Sequence, residues 1–399
     1  MNFFERRRAK KQLAKLKNEI RLVRHNDDDL LSIEQKQELD ALILDLQKVQ
    51  LDKAASCMSE CALKFNKAVP PYRHRTIRGW LDLLLVVGAV AFGIRALFLQ
   101  PFRIPTSSMQ PTLYGIHYID AQTTVNPLIG KLPAPLNWLL FSARNAEAKV
   151  TAPGKLDIDS FRPAGNALSD STAFSIGDQT YKLPGVVQKV IEYADLEPGR
   201  EYKIGDTLAD GFLSMGDHLF VERWSIYLAS LKRGDIMVFT TEGLSANGRN
   251  LAEMSGFFYI KRLVGLPGDT LRIVNNVLEV KPDGETKFRP IYELSPKFEK
   301  LYSNKGGYQG HLSGMGELVA YPQQQYTVPK DHYFMMGDNS RFSLDSRFFG
   351  AVPRRNLIGK AWVAFWPFSR RWGLIDHTDP VDAPTGEAVK GTYPVMYRQ

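Results

Sequence analysis

The feature that most restricts what this chain can fold into is an apolar run that stops just short of a turn crowded with hydroxyls. Across residues 80–99 the only charges are Asp82 and Arg95, and 83–94 has none. Then comes Ile104-Pro105-Thr106-Ser107-Ser108-Met109-Gln110-Pro111-Thr112-Leu113, with two prolines and four hydroxyl residues in ten positions. Alone, a charge-free stretch of 83–94 suits a buried helix in a soluble domain as well as a membrane span. Three features favour the span. Trp80 sits at one edge as an interfacial aromatic, Arg95 near the other edge is long enough to snorkel, and Arg73, His74, Arg75 and Arg78 crowd the N-terminal flank. Cations on that side place residues 1–78 in the cytoplasm and everything after about 100 outside. A run beginning this far into the chain is no cleavable leader.

Charge agrees with that orientation. The chain carries a formal +8. Residues 1–24 hold nine Lys/Arg against Glu5 and Glu19, so the excess is concentrated at one end. A basic arm can serve nucleic acid, but this one lacks interleaved aromatics and any zinc-finger or basic-zipper continuation. Beside a span it reads as a cytoplasmic arm facing anionic lipid, and no nucleic-acid partner is expected. Cys57 and Cys61, the only cysteines, share one helical face and read as reduced thiols, with no metal site and no disulfide framework. No cofactor is expected.

Residues 1–66 read as helical. Leu39, Leu42, Leu46 and Val49 form an apolar stripe, and Ser32-Ile33-Glu34-Gln35 has the form of a capping box, although the acidic run 27–29 blurs the start. A helical hairpin, a short coiled coil and a solvated helix all remain open. After Phe102 the texture changes to prolines, glycines and short β-rich runs: 218–222, 235–240, 257–264, 270–274, 277–280, 326–328 and 361–365, with a short helix over 186–193. Asn275-Asn276 between two apolar pairs marks a two-residue hairpin. The expectation is a mainly β exported domain with a loose polar tail from about Asp376.

A serine needs a base to act as a nucleophile at neutral pH. The seven histidines are scattered and none sits in a recognisable catalytic frame. The other solution is a lysine held neutral by burial. In Phe257-Phe258-Tyr259-Ile260-Lys261-Arg262-Leu263-Val264 strand alternation puts Lys261 on one face with Phe257, Tyr259 and Leu263, and Arg262 on the other. Such a lysine either snorkels to an edge or is buried with a lowered pKa, and pattern alone leaves both open.

Four blocks decide the matter by resemblance. They are Ile94-Arg95-Ala96-Leu97-Phe98-Leu99-Gln100-Pro101-Phe102 running into the serine block; Gly216-Asp217-His218-Leu219-Phe220-Val221-Glu222-Arg223; Tyr259-Ile260-Lys261-Arg262-Leu263-Val264-Gly265-Leu266-Pro267-Gly268-Asp269; and Gly337-Asp338-Asn339-Ser340-Arg341-Phe342-Ser343-Leu344-Asp345-Ser346-Arg347 with Gly350, Pro353 and Gly359-Lys360-Ala361. In this order they resemble bacterial type I signal peptidases, membrane-anchored Ser/Lys proteases that remove leader peptides. The resemblance implies Ser108 as nucleophile and Lys261 as general base. It puts Thr106 where the family has an oxyanion-binding serine and Ser343 where a serine orients the lysine. It makes Asp345 and Arg347 a structural pair, with Asp338 and Asn339 as supporting turn residues.

The implied fold is mainly β, a coiled antiparallel-sheet catalytic domain with an N-terminal helical cytoplasmic region and one transmembrane helix. The expected layout is a cytoplasmic helical region over 1–69, a span over 79–99, a catalytic domain over 100–114 and 216–368 (with 281–330 as a possible accessory β region), an insertion over 115–215 and a tail over 369–399. The implied partners are exported preproteins with small residues before the cut, the lipid bilayer and the export machinery. The implied location is the plasma (inner) membrane, single-pass, with the N-terminus cytoplasmic. An apolar rim, with Leu97, Phe98, Phe102 and Trp366-Pro367-Phe368 as candidates, would rest on the bilayer. The departure from the family is the insertion, either an elaborated subdomain or a membrane-surface or partner-docking lobe. The competing readings are a non-catalytic tethered scaffold with the same fold and, from the basic arm, a membrane-anchored nucleic-acid binder.

Overall fold

The computed structural model describes residues 3–28, 31–48, 54–69, 75–121, 128–166, 170–255 and 258–377. Pro70-Pro71, Arg73, His74, Val49, Phe257 and the tail from 378 lie outside the described residues. The chain divides into two units, Met1–Val90 and Ala91–Gln399.

The first unit contains helices Phe3–Asn26, Ile33–Lys48 and Ala54–Ala68. The leucine stripe finds its partners here. Leu39, Leu42 and Leu46 are buried with Ile20, Val23, Cys61 and Phe65 in one core. The capping box at Ser32 closes reciprocally: the Gln35 N–H donates to Ser32 Oγ at 3.2 Å and the Ser32 N–H to Gln35 Oε1 at 2.9 Å. The Gln35 amide also donates to Ala68 O at 3.1 Å, tying the start of the second helix to the end of the third.

A further helix, Arg75–Leu97, carries the apolar run. Leu83, Leu84, Leu85, Val86, Val87, Val90 and Phe92 are all exposed. Among the described residues no helix is long and apolar enough to cross a membrane. The helix also stops short of the expected residue 99. Leu99 opens a strand instead, and Pro101, which lacks an N–H, suits an extended segment better than a helix interior.

The second unit is built on a curled antiparallel sheet. Its strands are β1 (Leu99–Arg103), β2 (His218–Glu222), β3 (Ile236–Thr240), β4 (Phe258–Gly265), β5 (His332–Met336), β6 (Val352–Pro353), β7 (Leu357–Trp366) and β8 (Gly373–Leu374). Their order is β1-β2-β7-β3-β4-β5-β6, with β8 on the flank of β7. Register shifts interrupt the β7–β2, β3–β7 and β4–β5 pairings, and each such bulge adds local twist and bends the sheet. Both faces are covered. Ile236 and Val238 of β3 face a core with Leu219, Val221 and Ile260, while Met237 and Phe239 face another with Leu263, Met335 and Leu357. A four-stranded sheet of Thr270–Val274, Val277–Lys281, Arg289–Pro290 and Tyr326–Thr327 packs on an apolar core that it shares with Val264 of β4 and Phe334 and Met336 of β5. Its hairpin turns at Asn275 (φ 50) and Asn276 (φ 63), the paired left-handed residues of a type I′ turn.

Residues between the serine block and β2 form two more sheets, one of His117–Asp120, Thr207–Ser214 and Ala143–Lys149, the other of Gly154–Pro163, Ser171–Ile176, Gln179–Pro184 and Glu201–Tyr202. Phe174, Val190, Tyr202 and Leu213 centre their common core. The segment leaves and returns through a narrow neck. The Ile104 N–H donates to Asp217 O at 2.9 Å and the Asp217 N–H to Tyr114 O at 2.8 Å. Gly216 (φ +82) lies so close that a Cβ there would sit 2.5 Å from Ile104 O, and one on Gly115 would sit 2.3 Å from Thr106 O. Because the two ends meet, an insertion of this length costs the main sheet little.

Chain expected to be loose is in part anchored. The boundary drawn at 369 falls inside the fold, because β8 pairs with β7 and the Arg371 Nε donates to Asp217 Oδ2 at 2.8 Å. Asp376, expected to begin a loose tail, is held by Arg262 and Lys300. Ion pairing across so many positions leaves no local mark in the sequence.

Candidate active site

The serine block follows β1 and is anchored by its own apolar residues. Ile104, Met109 and Leu113 are buried among Leu219, Val221, Ile236, Val238 and Ile260. At ~1.5–3 kcal/mol for each large apolar side chain fully removed from water, these anchors fix the loop against the sheet. Between them the Ser107 and Ser108 carbonyls are clamped by the fourth block: the Asn339 N–H donates to Ser108 O at 3.0 Å and Asn339 Nδ2 to Ser107 O at 3.1 Å. Asn339 therefore grips the loop that carries the serine, a stronger role than a supporting turn residue.

Lys261 comes from β4, paired in register with Met237 of β3. It is 3% exposed, and Leu263 on the same face is fully buried. Its Nζ lies 2.7 Å from Ser108 Oγ, 3.0 Å from Ile260 O and 5.0 Å from the centre of the Tyr259 ring. Burial pushes the amine down to about 8, against an upward pull from Asp345 and Asp338 and with a further push from Arg347. Of the two possibilities left open by strand alternation, the geometry selects the buried lysine. Among the described residues the other group within hydrogen-bond reach of Ser108 Oγ is Thr106 Oγ1 at 3.4 Å. Thr106 itself is exposed. His311 is buried, with Nδ1 2.5 Å from the Tyr302 hydroxyl, and burial pushes its imidazole down to about 3.

Two buried ion pairs hold the surrounding blocks. Arg347 meets Asp345 bidentately, Nε to Oδ1 at 2.8 Å and one Nη to Oδ2 at 2.9 Å, and donates to the Ser340 hydroxyl and carbonyl. Burial alone would raise the Asp345 carboxyl, but Arg347 holds it below its ordinary range. Asp345 also accepts the Gly337 N–H at 3.1 Å, so the pair fixes both ends of the 337–347 loop. Arg262, on the face of β4 opposite Lys261, meets Asp338 at 2.7 and 2.6 Å and Asp376 at 2.7 and 3.1 Å. Asp338 accepts from Thr112 of the serine block, and Thr112 lies 2.9 Å from the Tyr308 hydroxyl. Fully desolvated pairs of this kind contribute more to geometry than to net stability.

Of the six residues singled out from sequence, the fold brings Ser108, Lys261 and Thr106 together and makes a pair of Asp345 and Arg347. Ser343 is placed differently. Its Oγ is buried and makes no hydrogen bond to Lys261; its neighbour is the Asp345 carboxylate, whose charged form the hydroxyl favours. It lies against Gly337, where a Cβ would be 2.2 Å from Ser343 Oγ and 2.5 Å from Ser108 O. The orienting contact on Lys261 comes instead from the Ile260 carbonyl. Sequence reasoning missed Arg262, Thr112, Tyr308 and Asp376. The available signal was a second charged residue next to Lys261 in an otherwise apolar strand.

A curled antiparallel β-fold holding a buried serine–lysine pair defines the class. The family described as "Signal peptidase, peptidase S26" matches residues 202–366. That stretch contains Lys261, Ser343, Asp345 and Arg347 but not Ser108, which the pairing of β1 with β2 brings alongside. Signal peptidase I of Leptolyngbya laminosa is 34% identical over 159 residues, covering 40% of this chain and 64% of its own length. Signal peptidase I of Pseudomonas aeruginosa is 32% identical over 184 residues, 39% of this chain and 61% of its own length. Signal peptidase I P of Bacillus subtilis subsp. natto is 30% identical over 155 residues, 39% of this chain and 70% of its own length. The chain spans less than two thirds of the length of the first two. It belongs to the signal peptidase I family.

Proposed function

We propose that this protein is a type I signal peptidase, an endopeptidase that cuts leader peptides from exported preproteins at a membrane surface. The observation that carries the reading is the 2.7 Å approach of a buried lysine amine to Ser108 Oγ. In the neutral form Lys261 accepts the Ser108 proton as Oγ bonds to the scissile carbonyl carbon. The resulting oxyanion is met by the Thr106 hydroxyl and the Ser108 N–H. When the C–N bond breaks, the Lys261 ammonium returns that proton to the leaving amine. Water then attacks the Ser108 ester as Lys261 takes one of its protons, and that proton passes to Ser108 Oγ when the ester C–O bond breaks, restoring the neutral amine and the free hydroxyl. The balance needs no cofactor. Asp345–Arg347 and Arg262–Asp338 position the loops and take no part in bond changes.

Substrates of this reaction carry small residues before the cut and bind as an added strand on a sheet edge. Their cleavage sites lie at the bilayer surface, so the reading includes the run 80–97 as a single span with residues 1–78 cytoplasmic and the β unit outside. The positive flank and the exposed apolar side chains of helix Arg75–Leu97 support that topology. The test is cleavage of a preprotein by the wild type and by Ser108→Ala and Lys261→Ala. Cleavage by the wild type alone is expected; an inactive wild type, or an active Lys261→Ala, contradicts the reading.

A further inference from the structure

The insertion contains a helix that is turned inside out. In Ala134–Phe141 the one polar residue, Asn137, is buried: its Oδ1 accepts the Gly130 N–H at 3.2 Å and its Nδ2 donates to Leu132 O at 2.9 Å. Leu136, Trp138 and Leu139 face outward at 43%, 50% and 55% exposure. Phe141 is buried with Asn137, but in water the helix still buries an amide while leaving three large apolar side chains exposed.

The helix is locked to the end of β7. The Trp366 indole N–H donates to Leu139 O at 2.6 Å and the Phe368 N–H to Leu140 O at 2.8 Å, satisfying carbonyls of the last turn. The Trp138 and Trp366 rings meet edge-on at 5.8 Å. Beyond them Phe368 and Trp372, 5.7 Å apart, are 48% and 50% exposed. The outward face of the insertion helix and the aromatic end of the catalytic sheet thus form one apolar surface. Its own segments are cationic, with Arg371 paired to Asp217, while Glu147 and Asp210 line a cleft that Trp138 also borders. The segments 128–141 and 362–375 carry Lys131, Arg370 and Arg371 and no acidic residue. Lys131 and Arg370 are exposed.

We propose that helix Ala134–Phe141 is an interfacial anchor that seats the catalytic unit on an anionic lipid bilayer. Trp138 and Leu139 enter the headgroup boundary beside Phe368 and Trp372, and Lys131 and Arg370 meet lipid phosphates. Tryptophans with flanking cations are the composition that a membrane interface selects. The proposal rests on the membrane-surface reading above and gives the insertion a task within it.

The test uses the full chain with Cys57→Ala and Cys61→Ala, reconstituted in vesicles of phosphatidylcholine and phosphatidylglycerol. An environment-sensitive nitrobenzoxadiazole probe is placed at Leu139→Cys or, as control, at Lys203→Cys, an exposed position of the same insertion. The expected result is emission shifted to the blue at 139 and quenched by lipids spin-labelled near the headgroup, with neither effect at 203. Unshifted, unquenched emission at 139 overturns the proposal. So does a blue shift that grows with protein density and ignores the spin label, which would mean a second copy of the chain covers the face. In parallel, unlabelled Trp138→Ser/Leu139→Ser should cleave a short peptide in detergent at the wild-type rate and lose rate on a precursor embedded in vesicles. Equal rates on both substrates, or equal losses, overturn the proposal. A wild type that cleaves neither substrate sinks the serine–lysine reading instead, and the probe still decides whether the helix meets lipid.

Discussion

Replacing Lys261 with methionine separates what the buried amine costs from what it contributes. A lysine lowered to about 8 from an ordinary 10.5 disfavours its own charged form inside the fold. The unfolded chain holds that proton up to about 10.5, whereas the folded protein gives it up near 8. The resulting penalty, about 3 kcal/mol, is present in full below about pH 8, shrinks between 8 and 10.5, and is gone above. Methionine removes the penalty and leaves Ser108 Oγ and Ile260 O without their amine, roughly 1 kcal/mol each. The variant should therefore be about 1 kcal/mol more stable than wild type near pH 7 and about 2 kcal/mol less stable near pH 11. Effects of other titrating groups cancel in the difference. Urea unfolding in detergent, followed by tryptophan emission, is the assay. Five of the six tryptophans (Trp138, Trp224, Trp362, Trp366 and Trp372) lie in the β unit, so the signal reports that unit. A stability difference that stays constant from about pH 7 to 11 would refute the idea that burial depresses Lys261.

Gly337→Ala should displace Ser343 Oγ or the Ser108 carbonyl, since its Cβ would lie 2.2 and 2.5 Å from them; peptide-cleavage kinetics should show a loss of about 100-fold in kcat, as for an ångström-scale misplacement. Thr106→Val keeps the shape and removes the hydroxyl, so kcat should fall by roughly 10²–10³ with KM little changed, the mark of a group acting on the oxyanion. Asp345→Asn leaves Arg347 buried without its carboxylate, which should cost about 3–5 kcal/mol in urea unfolding.

Strand alternation put Lys261 on a face with Tyr259 and Leu263 and left snorkelling and burial both open; the roles of Ser108 and Lys261 came from the resemblance of four sequence blocks, and the fold brings the two side chains together across 153 positions. Alternation put Arg262 on the face opposite Lys261 but could not reveal that β4 is covered on both sides, so its network with Asp338, Asp376 and Thr112 went unseen. The Ser343 role came from resemblance alone, and the fold sets its hydroxyl against Gly337 rather than the lysine. Strands of the insertion were missed for a physical reason too. Gly154–Pro163 buries only Leu156 among its ten residues, so it carries almost no period-two pattern. The inverted helix Ala134–Phe141 was visible as an apolar run, but which side it turns outward depends on where Asn137 finds its partners.

The central claim is that Lys261, whose pKa burial lowers to about 8, takes the proton of Ser108 in its neutral form. The pH dependence of kcat/KM for cleavage of a short leader-like peptide tests it most directly. Only the neutral amine can accept that proton, so the rate should rise with pH along a single limb near 8 and then level off. A limb near the free-lysine value of about 10.4, or one near the histidine value of about 6.5, would contradict the account.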